Sequence, residues 1–80
     1  MAVLRLFAAA REAAGTAREV VAGATVAEVL AAARALHGEA FAAVVAASRV
    51  WVNGEPADDS TPVGGDDEVA ILPPVSGGRA

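Results

Sequence analysis

The chain has 80 residues, of which 55% are hydrophobic, and it carries a formal net charge of −4 at pH 7. A chain of this length forms one small domain. It buries only about 60% of the surface that its unfolded form exposes, so its core must be compact. The acidic balance disfavours a nucleic-acid partner, and the absence of cysteine excludes disulfides and thiolate metal sites. No uncharged apolar run reaches about 18 residues and no signal-peptide pattern is present, so we expect a cytoplasmic protein without a membrane span.

The first predicted element is a β-hairpin. Residues 2–8 alternate in a way that predicts a strand, with Leu4 and Leu6 on one face and Phe7 on the other. The polar and glycine residues that follow predict a turn. Residues 17–21 are β-branched at their end and predict the returning strand.

A helix is predicted next, because Thr25 and Glu28 have the spacing of a capping box, in which the two residues bond each other's backbone N–H groups. We expect His37 to be a capping or solvent-exposed group and Gly38 to end the helix in the left-handed C′ conformation. A weaker helical segment covers residues 40–47. The residues expected to face the core at helical spacing are Val26, Val29, Leu30, Ala33 and Leu36.

A second hairpin follows the helical region. Residues 49–52 read as a strand, and Asn53 and Gly54 form the strongest short hairpin signal because both tolerate a positive φ. Residues 55–57 predict a short edge strand, since a proline cannot donate to a β-ladder. Residues 67–72 predict the last strand, which two prolines end.

This order of elements predicts an α+β protein with a β-grasp (ubiquitin-like) fold: a mixed sheet, one main crossing helix and a central last strand parallel to the first. We expect a domain over residues 1–74 and a flexible C-terminal Gly-Gly tail over residues 75–80. The predicted core consists of Leu4, Leu6, Val29, Leu30, Leu36, Val50, Val52, Val69 and Ile71.

Alternation places a second set of apolar side chains on the other sheet face. If Val50 and Val52 face the core, Trp51 lies on the outer face, together with Phe7 and Leu72. An exposed aromatic and aliphatic patch on a small protein marks a partner site. The alternative is that the helix covers this face and buries Trp51. The acidic residues of the C-terminal third are expected to be solvated loop residues, some of which steer an arginine-bearing partner.

Four stretches occur in a specific order: LRLFAAAREAAGT, TVAEVLAAARALH, VWVNGEPA and DDEVAILPPVSGG. With them the chain resembles the MoaD/ThiS sulfur-carrier family, and within it most of all the small subunit of molybdopterin synthase. The resemblance covers nearly the whole chain, and its last stretch is the most specific. The order Gly-Gly-Asp-Asp-Glu departs from the usual Gly-Asp-Glu and moves the turn glycine by one position, which leaves the local turn type open.

The resemblance implies a sulfur carrier without catalytic machinery of its own. A ubiquitin-activating-type (MoeB-like) enzyme would use ATP to adenylate the carboxylate of Gly78, and sulfur transfer would then give a thiocarboxylate. The large subunit of molybdopterin synthase (MoaE-like) would consume this sulfur in building the molybdenum cofactor. Gly77 would help a thin chain to thread the partner's channel. The residues expected to contact partners are Phe7, Trp51, Leu72, Pro73, Pro74 and Val75.

Arg79 and Ala80 extend the chain beyond Gly78. Because the chemistry needs a free carboxylate on Gly78, we expect an inactive precursor from which a peptidase removes both residues. Two alternatives share the resemblance: a ubiquitin-like modifier conjugated to lysines through Gly78, and a carrier that supplies sulfur to thiamine or cysteine synthesis. A frayed polar terminus without function is the structural alternative.

Overall fold

The computed structural model describes residues 1–74, so the functions predicted for Val75, Gly77, Gly78, Arg79 and Ala80 lie outside the described residues. The strands are β1 (Ala2–Leu6), β2 (Arg18–Val21), β3 (Arg49–Val52), β4 (Glu55–Pro56) and β5 (Glu68–Leu72). The helices are α1 (Ala8–Ala14), α2 (Val26–His37) and α3 (Glu39–Ala46).

The strands form one mixed sheet in the order β2-β1-β5-β3-β4. β5 is central and runs parallel to β1, whereas the other neighbouring strands are antiparallel. This is the arrangement of a β-grasp fold, and it confirms the predicted place and direction of the last strand.

The core lies between the helices and one face of the sheet, here called the inner face. Leu4, Val69 and Ile71 of the inner face are fully buried. They pack with the helical residues Val26, Val29, Leu30, Ala33, Phe41 and Val45. Val50 and Val52, predicted as core, are partly buried and pack against this cluster near its border.

The sequence-based prediction missed α1. The segment expected to be a turn forms a seven-residue helix that buries Ala10 and ends at Gly15, whose left-handed backbone lets its N–H bond the carbonyl of Arg11 at 2.9 Å. Alanine, arginine and glutamate are all strong helix formers, which is the local signal that the prediction did not use. The same helix shortens β1, which ends at Leu6.

The capping box at the start of α2 is present in altered form. The Thr25 hydroxyl accepts the backbone N–H of Glu28 at 3.2 Å, as predicted. The Glu28 carboxylate, however, accepts the N–H of Ala24 at 2.8 Å and not that of Thr25. The Glu28 side chain therefore bonds a backbone N–H one residue earlier in the chain than the predicted capping box requires.

Three expectations at the end of α2 were wrong. Leu36 is 67% exposed because the buried stripe of α2 continues from Ala33 to the half-buried His37, four residues later. His37 neither caps the helix nor points into solvent: its Nε2 lies 2.5 Å from a carboxylate oxygen of Glu19 on β2, and its ring packs on Phe41 with 5.0 Å between centroids. Gly38 has φ 92° and ψ −168°, which is not the left-handed helical conformation, because it is also the N-cap of α3.

Candidate functional site

The tail of the protein follows the central strand. β5 ends at Leu72, Pro73 is half-buried and Pro74 is exposed. Proline fixes φ and restricts the residue before it to extended conformations, so the two prolines lead the chain out of the sheet as a stiff segment. The segment predicted to carry the chemistry therefore begins at the C-terminal end of the central strand.

Two neighbouring strands place side chains beside this exit. Arg49 of β3 is the register partner of Leu72. On the other side β1 pairs with β5 through Leu6 and Ile71, and extending this register by one residue places Phe7 next to Leu72. Phe7 is 40% exposed and occupies the N-cap position of α1, whereas the prediction had it within the strand.

The sheet face opposite the helices, here called the outer face, carries Trp51 at its centre. Trp51 pairs with Ala70, which in turn pairs with Arg5, so the three residues lie side by side across three strands. All three are partly exposed, and among the described residues no helix covers them. Trp51 thus lies on the outer face as predicted. By strand register the outer face comprises Val3, Arg5, Arg18, Val20, Arg49, Trp51, Pro56, Glu68, Ala70 and Leu72.

The outer face is more cationic than the protein as a whole. Three of its residues are arginines, and Glu68 is its only acid among the described residues. The Nη1 atom of Arg5 lies 3.5 Å from a carboxylate oxygen of Glu68, and its Cζ lies 5.9 Å from the centroid of the Phe7 ring. Arg5 therefore contacts both the acid of the outer face and the exposed Phe7 beside it. A net charge of −4 with arginines on one face gives the molecule a charge asymmetry that sequence inspection did not reveal.

Two of the loop acids are solvent-accessible, as expected, and also accept hydrogen bonds that hold their loops. Hydrogen bonds from Asn53 and from the backbone N–H of Gly64 lower the pKa of Asp67 below its ordinary value. Hydrogen bonds from Ser60, and to a smaller extent from Thr61, lower the pKa of Asp58 in the same way. Each carboxylate stabilises its loop by accepting several donors.

The turn before β5 shows which residue takes the left-handed conformation that the sequence left open. Gly65 takes a positive φ of 52°, and the N–H of Asp67 bonds the carbonyl of Gly64 at 2.9 Å. Asp66, which follows the glycines, has no positive φ. The displaced glycine therefore meets the conformational requirement of this turn.

Within residues 1–74, no three His, Cys, Asp or Glu side chains lie close enough together to hold a metal ion. The described residues also contain no helix of the length and apolarity that a membrane span requires.

A single β-grasp domain with an uncovered sheet face and a Gly-Gly tail after its central strand defines the class of ubiquitin-like carrier proteins. The sequence matches the ThiS family over residues 4–78. The chain therefore belongs to this family of sulfur carriers, as the resemblance predicted. No curated protein sequence matches the chain significantly.

Solved structures agree with this assignment. The chain is similar to small archaeal modifier protein 1 (SAMP1) from Haloferax volcanii, with 35% identity, a TM-score of 0.81 and coverage of 96% of this chain and 98% of that one. A protein from Pyrococcus furiosus assigned as molybdopterin converting factor, subunit 1, has 26% identity and a TM-score of 0.77 over 92% and 97% of the two chains. A chain of the BexX/CysO complex from Amycolatopsis orientalis has 25% identity and a TM-score of 0.82 over 98% and 100%.

Proposed function

We propose that the protein is the sulfur-donating small subunit of a molybdopterin synthase and carries the sulfur as a thiocarboxylate on Gly78. The observation that carries this proposal is the family match, which includes the Gly-Gly pair and stops at Gly78. The similarity to the Pyrococcus furiosus protein assigned as molybdopterin converting factor, subunit 1, supports the choice of pathway.

The chemistry of the tail requires an adenylating partner. A free carboxylate is a poor electrophile, so a carboxylate oxygen of Gly78 attacks the α-phosphate of ATP and pyrophosphate leaves. A sulfur nucleophile supplied by the activating system then attacks the acyl carbon, and AMP leaves. Glycine suits this step because its acyl carbon has no Cβ beside it to hinder the attack.

The outer face is the surface on which the partners dock in this proposal. Gly78 is four residues past Pro74, so an extended tail carries its carboxylate about 13 Å from the domain. A partner that binds Trp51 and Leu72 on the outer face then receives the tail in its own active site. The arginines around these residues favour a partner with carboxylates at the rim of its docking surface.

A second function has a specific observation in its favour. SAMP1, to which the chain is 35% identical, is by name a modifier protein. A modifier uses the same adenylation of Gly78, but the acyl group passes to an amine of another protein and not to sulfur. Carriers for thiamine or cysteine synthesis share the sulfur chemistry and differ in the partner that consumes it.

Arg79 and Ala80 lie beyond the region that matches the family. While they remain attached, the acyl carbon of Gly78 is part of a peptide bond and has no carboxylate to adenylate. The proposal therefore includes a peptidase that cuts after Gly78.

The test compares three chains: residues 1–78, residues 1–80, and a control that stops at Ser76. Each is incubated with the adenylating enzyme, ATP and a sulfur donor, and its intact mass is measured. We expect only the chain ending at Gly78 to gain the mass of one oxygen-to-sulfur exchange, and to lose it again when the large synthase subunit and its substrate are added.

Two results would contradict this scheme. Thiocarboxylation of the 1–80 chain at the same rate, with both extra residues retained, would rule out the precursor. Isopeptide-linked conjugates formed in place of the thiocarboxylate would establish the modifier function instead.

A further inference from the structure

A groove of about 600 Å³ lies at the start of β3 and the end of β4. Trp51 and Pro56, which are register partners on the outer face, contribute its apolar surface. Arg49 contributes a cation, and the loop after β4 contributes Asp58 and Asp59. The groove is therefore amphipathic, with one cation against two carboxylates.

The two carboxylates of the groove are not equivalent. The carboxylate of Asp58 accepts the backbone N–H and the hydroxyl of Ser60 at 3.0 and 2.7 Å, so it is occupied within its own loop. The carboxylate of Asp59 makes no hydrogen bond or ion pair within residues 1–74. The backbone of Asp59 is nevertheless held, because its carbonyl accepts the N–H of Ala27 at 3.0 Å. Asp59 thus presents an unpaired negative charge from a fixed position at the groove.

The tail leaves the domain within reach of this charge. Leu72 is the register partner of Arg49, which lines the groove, so β5 ends one strand away from it. The end of β4 is two strands from β5, or about 10 Å at the usual strand spacing. Arg79 is five residues past Pro74, which allows an extended span of about 17 Å.

We infer that residues 75–80 of the untrimmed chain dock in this groove, with the Arg79 guanidinium paired to the carboxylate of Asp59. Arg79 is the only cationic side chain of the tail, and it complements the unpaired acid of the groove. Docking holds the bond after Gly78 against the domain and covers Trp51. Removal of Arg79 deletes the ion pair and releases the tail. The consequence for activation rests on the proposed function, whereas the docking itself does not.

The experiment uses the isolated protein, without an activating enzyme. Trp51 is the only tryptophan of the chain, so its fluorescence reports on the groove directly. The emission of Trp51 and the backbone amide shifts of residues 48–60 are compared between chains 1–80 and 1–78. We expect differences confined to this stretch that are independent of protein concentration and shrink in 1 M salt, where the screening length falls to about 3 Å.

The variant Asp59→Asn removes the acid, and Asp66→Asn is the matched control, since Asp66 is also an exposed loop acid and does not line the groove. Asp59→Asn should reduce the ratio of docked to undocked chains by about two- to fivefold, the range for a single exposed ion pair. Arg79→Ala in the 1–80 chain should have the same effect, and Asp66→Asn should have none.

Identical spectra for the two chains would overturn the inference. Differences that grow with protein concentration would overturn it as well, because the occupant would then be a second copy of the chain. Neither result bears on thiocarboxylation of Gly78, so failure of the docking and failure of the proposed function are separately visible.

Discussion

Asn53 illustrates how a single residue joins two parts of this small protein. Its φ of 50° lets the hairpin between β3 and β4 turn within two residues, and Gly54 follows with φ 85°. Its side chain reaches the start of β5: Nδ2 donates to Asp67 at 2.9 Å and Oδ1 accepts the N–H of Glu68 at 2.9 Å. The turn residue therefore also fixes the beginning of the central strand.

Replacing this residue gives a prediction at the residue scale. Asn53→Ala loses both side-chain bonds and places at a positive φ a residue that tolerates the left-handed region less well than asparagine, so we expect it to lower the free energy of unfolding by about 1–2 kcal/mol at neutral pH. Asn53 is also the main cause of the lowered pKa of Asp67. A lowered native pKa contributes stability that is fully present above the ordinary value of 3.8 and is lost as the pH falls below it toward the lowered native pKa.

The destabilisation by Asn53→Ala should therefore shrink as the solution is acidified, because the wild-type protein loses the same contribution. Thermal unfolding midpoints measured between about pH 7 and pH 3 test this. The control is Asp66→Asn, which alters a neighbouring acid that makes no side-chain hydrogen bond within the described residues. A constant difference between wild type and Asn53→Ala at every pH would show that the Asp67 linkage is absent.

At the scale of elements, two leucines of α2 differ in whether they are buried in the core. Leu30 is 4% exposed and Leu36 is 67% exposed, although both lie on the same helix and have the same side chain. The buried stripe ends with His37, which bonds Glu19 of β2 and contacts Phe41 of α3. The last turn of α2 is therefore held by a polar contact with the sheet edge and not by Leu36.

The two leucines form a matched pair for mutation. Leu30→Ala should destabilise the protein by about 2–4 kcal/mol, because it leaves a cavity in a core that is too small to absorb it. Leu36→Ala should change stability by no more than about 0.5 kcal/mol, as expected for an exposed site. Urea unfolding of both variants measures the difference. Equal losses would mean that Leu36 packs against the core after all.

At the scale of the whole molecule, the fold divides its surface into two sides. The helices cover the inner face of the sheet, and the outer face keeps a half-exposed Trp51 amid arginines. The tail emerges at the end of β5, between Phe7 and Arg49. A partner can thus bind the outer face and receive the tail in a single encounter, which is the geometry that the proposed carrier needs.

This arrangement predicts the effect of Trp51→Ala. Half-exposed aromatic side chains at the centre of a docking surface contribute strongly to affinity, so we expect binding of the 1–78 chain to the adenylating enzyme to weaken about tenfold or more. Titration calorimetry measures the Kd, and circular dichroism checks that the variant is folded. Leu36→Ala, on the helical side, should bind like the wild type. An unchanged Kd for Trp51→Ala would remove the outer face from the proposed docking surface.

Local physics explains which parts of this protein its sequence determined. The Asn53-Gly54 hairpin, the Thr25 cap and the alternation of β5 depend on φ preferences and on spacings of two to four residues, and each is present. The uncovered position of Trp51 also followed from alternation along one strand. The order of the predicted elements indicated the β-grasp fold, and the family resemblance supplied the expectation that the chemistry lies in the tail.

Other features of this protein depend on contacts between elements, and the hydrophobic pattern of the sequence alone does not predict them. The exposure of Leu36 and the contact between His37 and Glu19 depend on packing between elements, since Glu19 lies on β2 and the His37 ring packs on Phe41 of α3. The charge asymmetry of the outer face has the same origin, since its arginines come from three strands that only the sheet register brings together. A periodic pattern predicts which side of an element is apolar. Which neighbouring element covers that side depends on the long-range contacts, which must also offset the loss of chain entropy on folding.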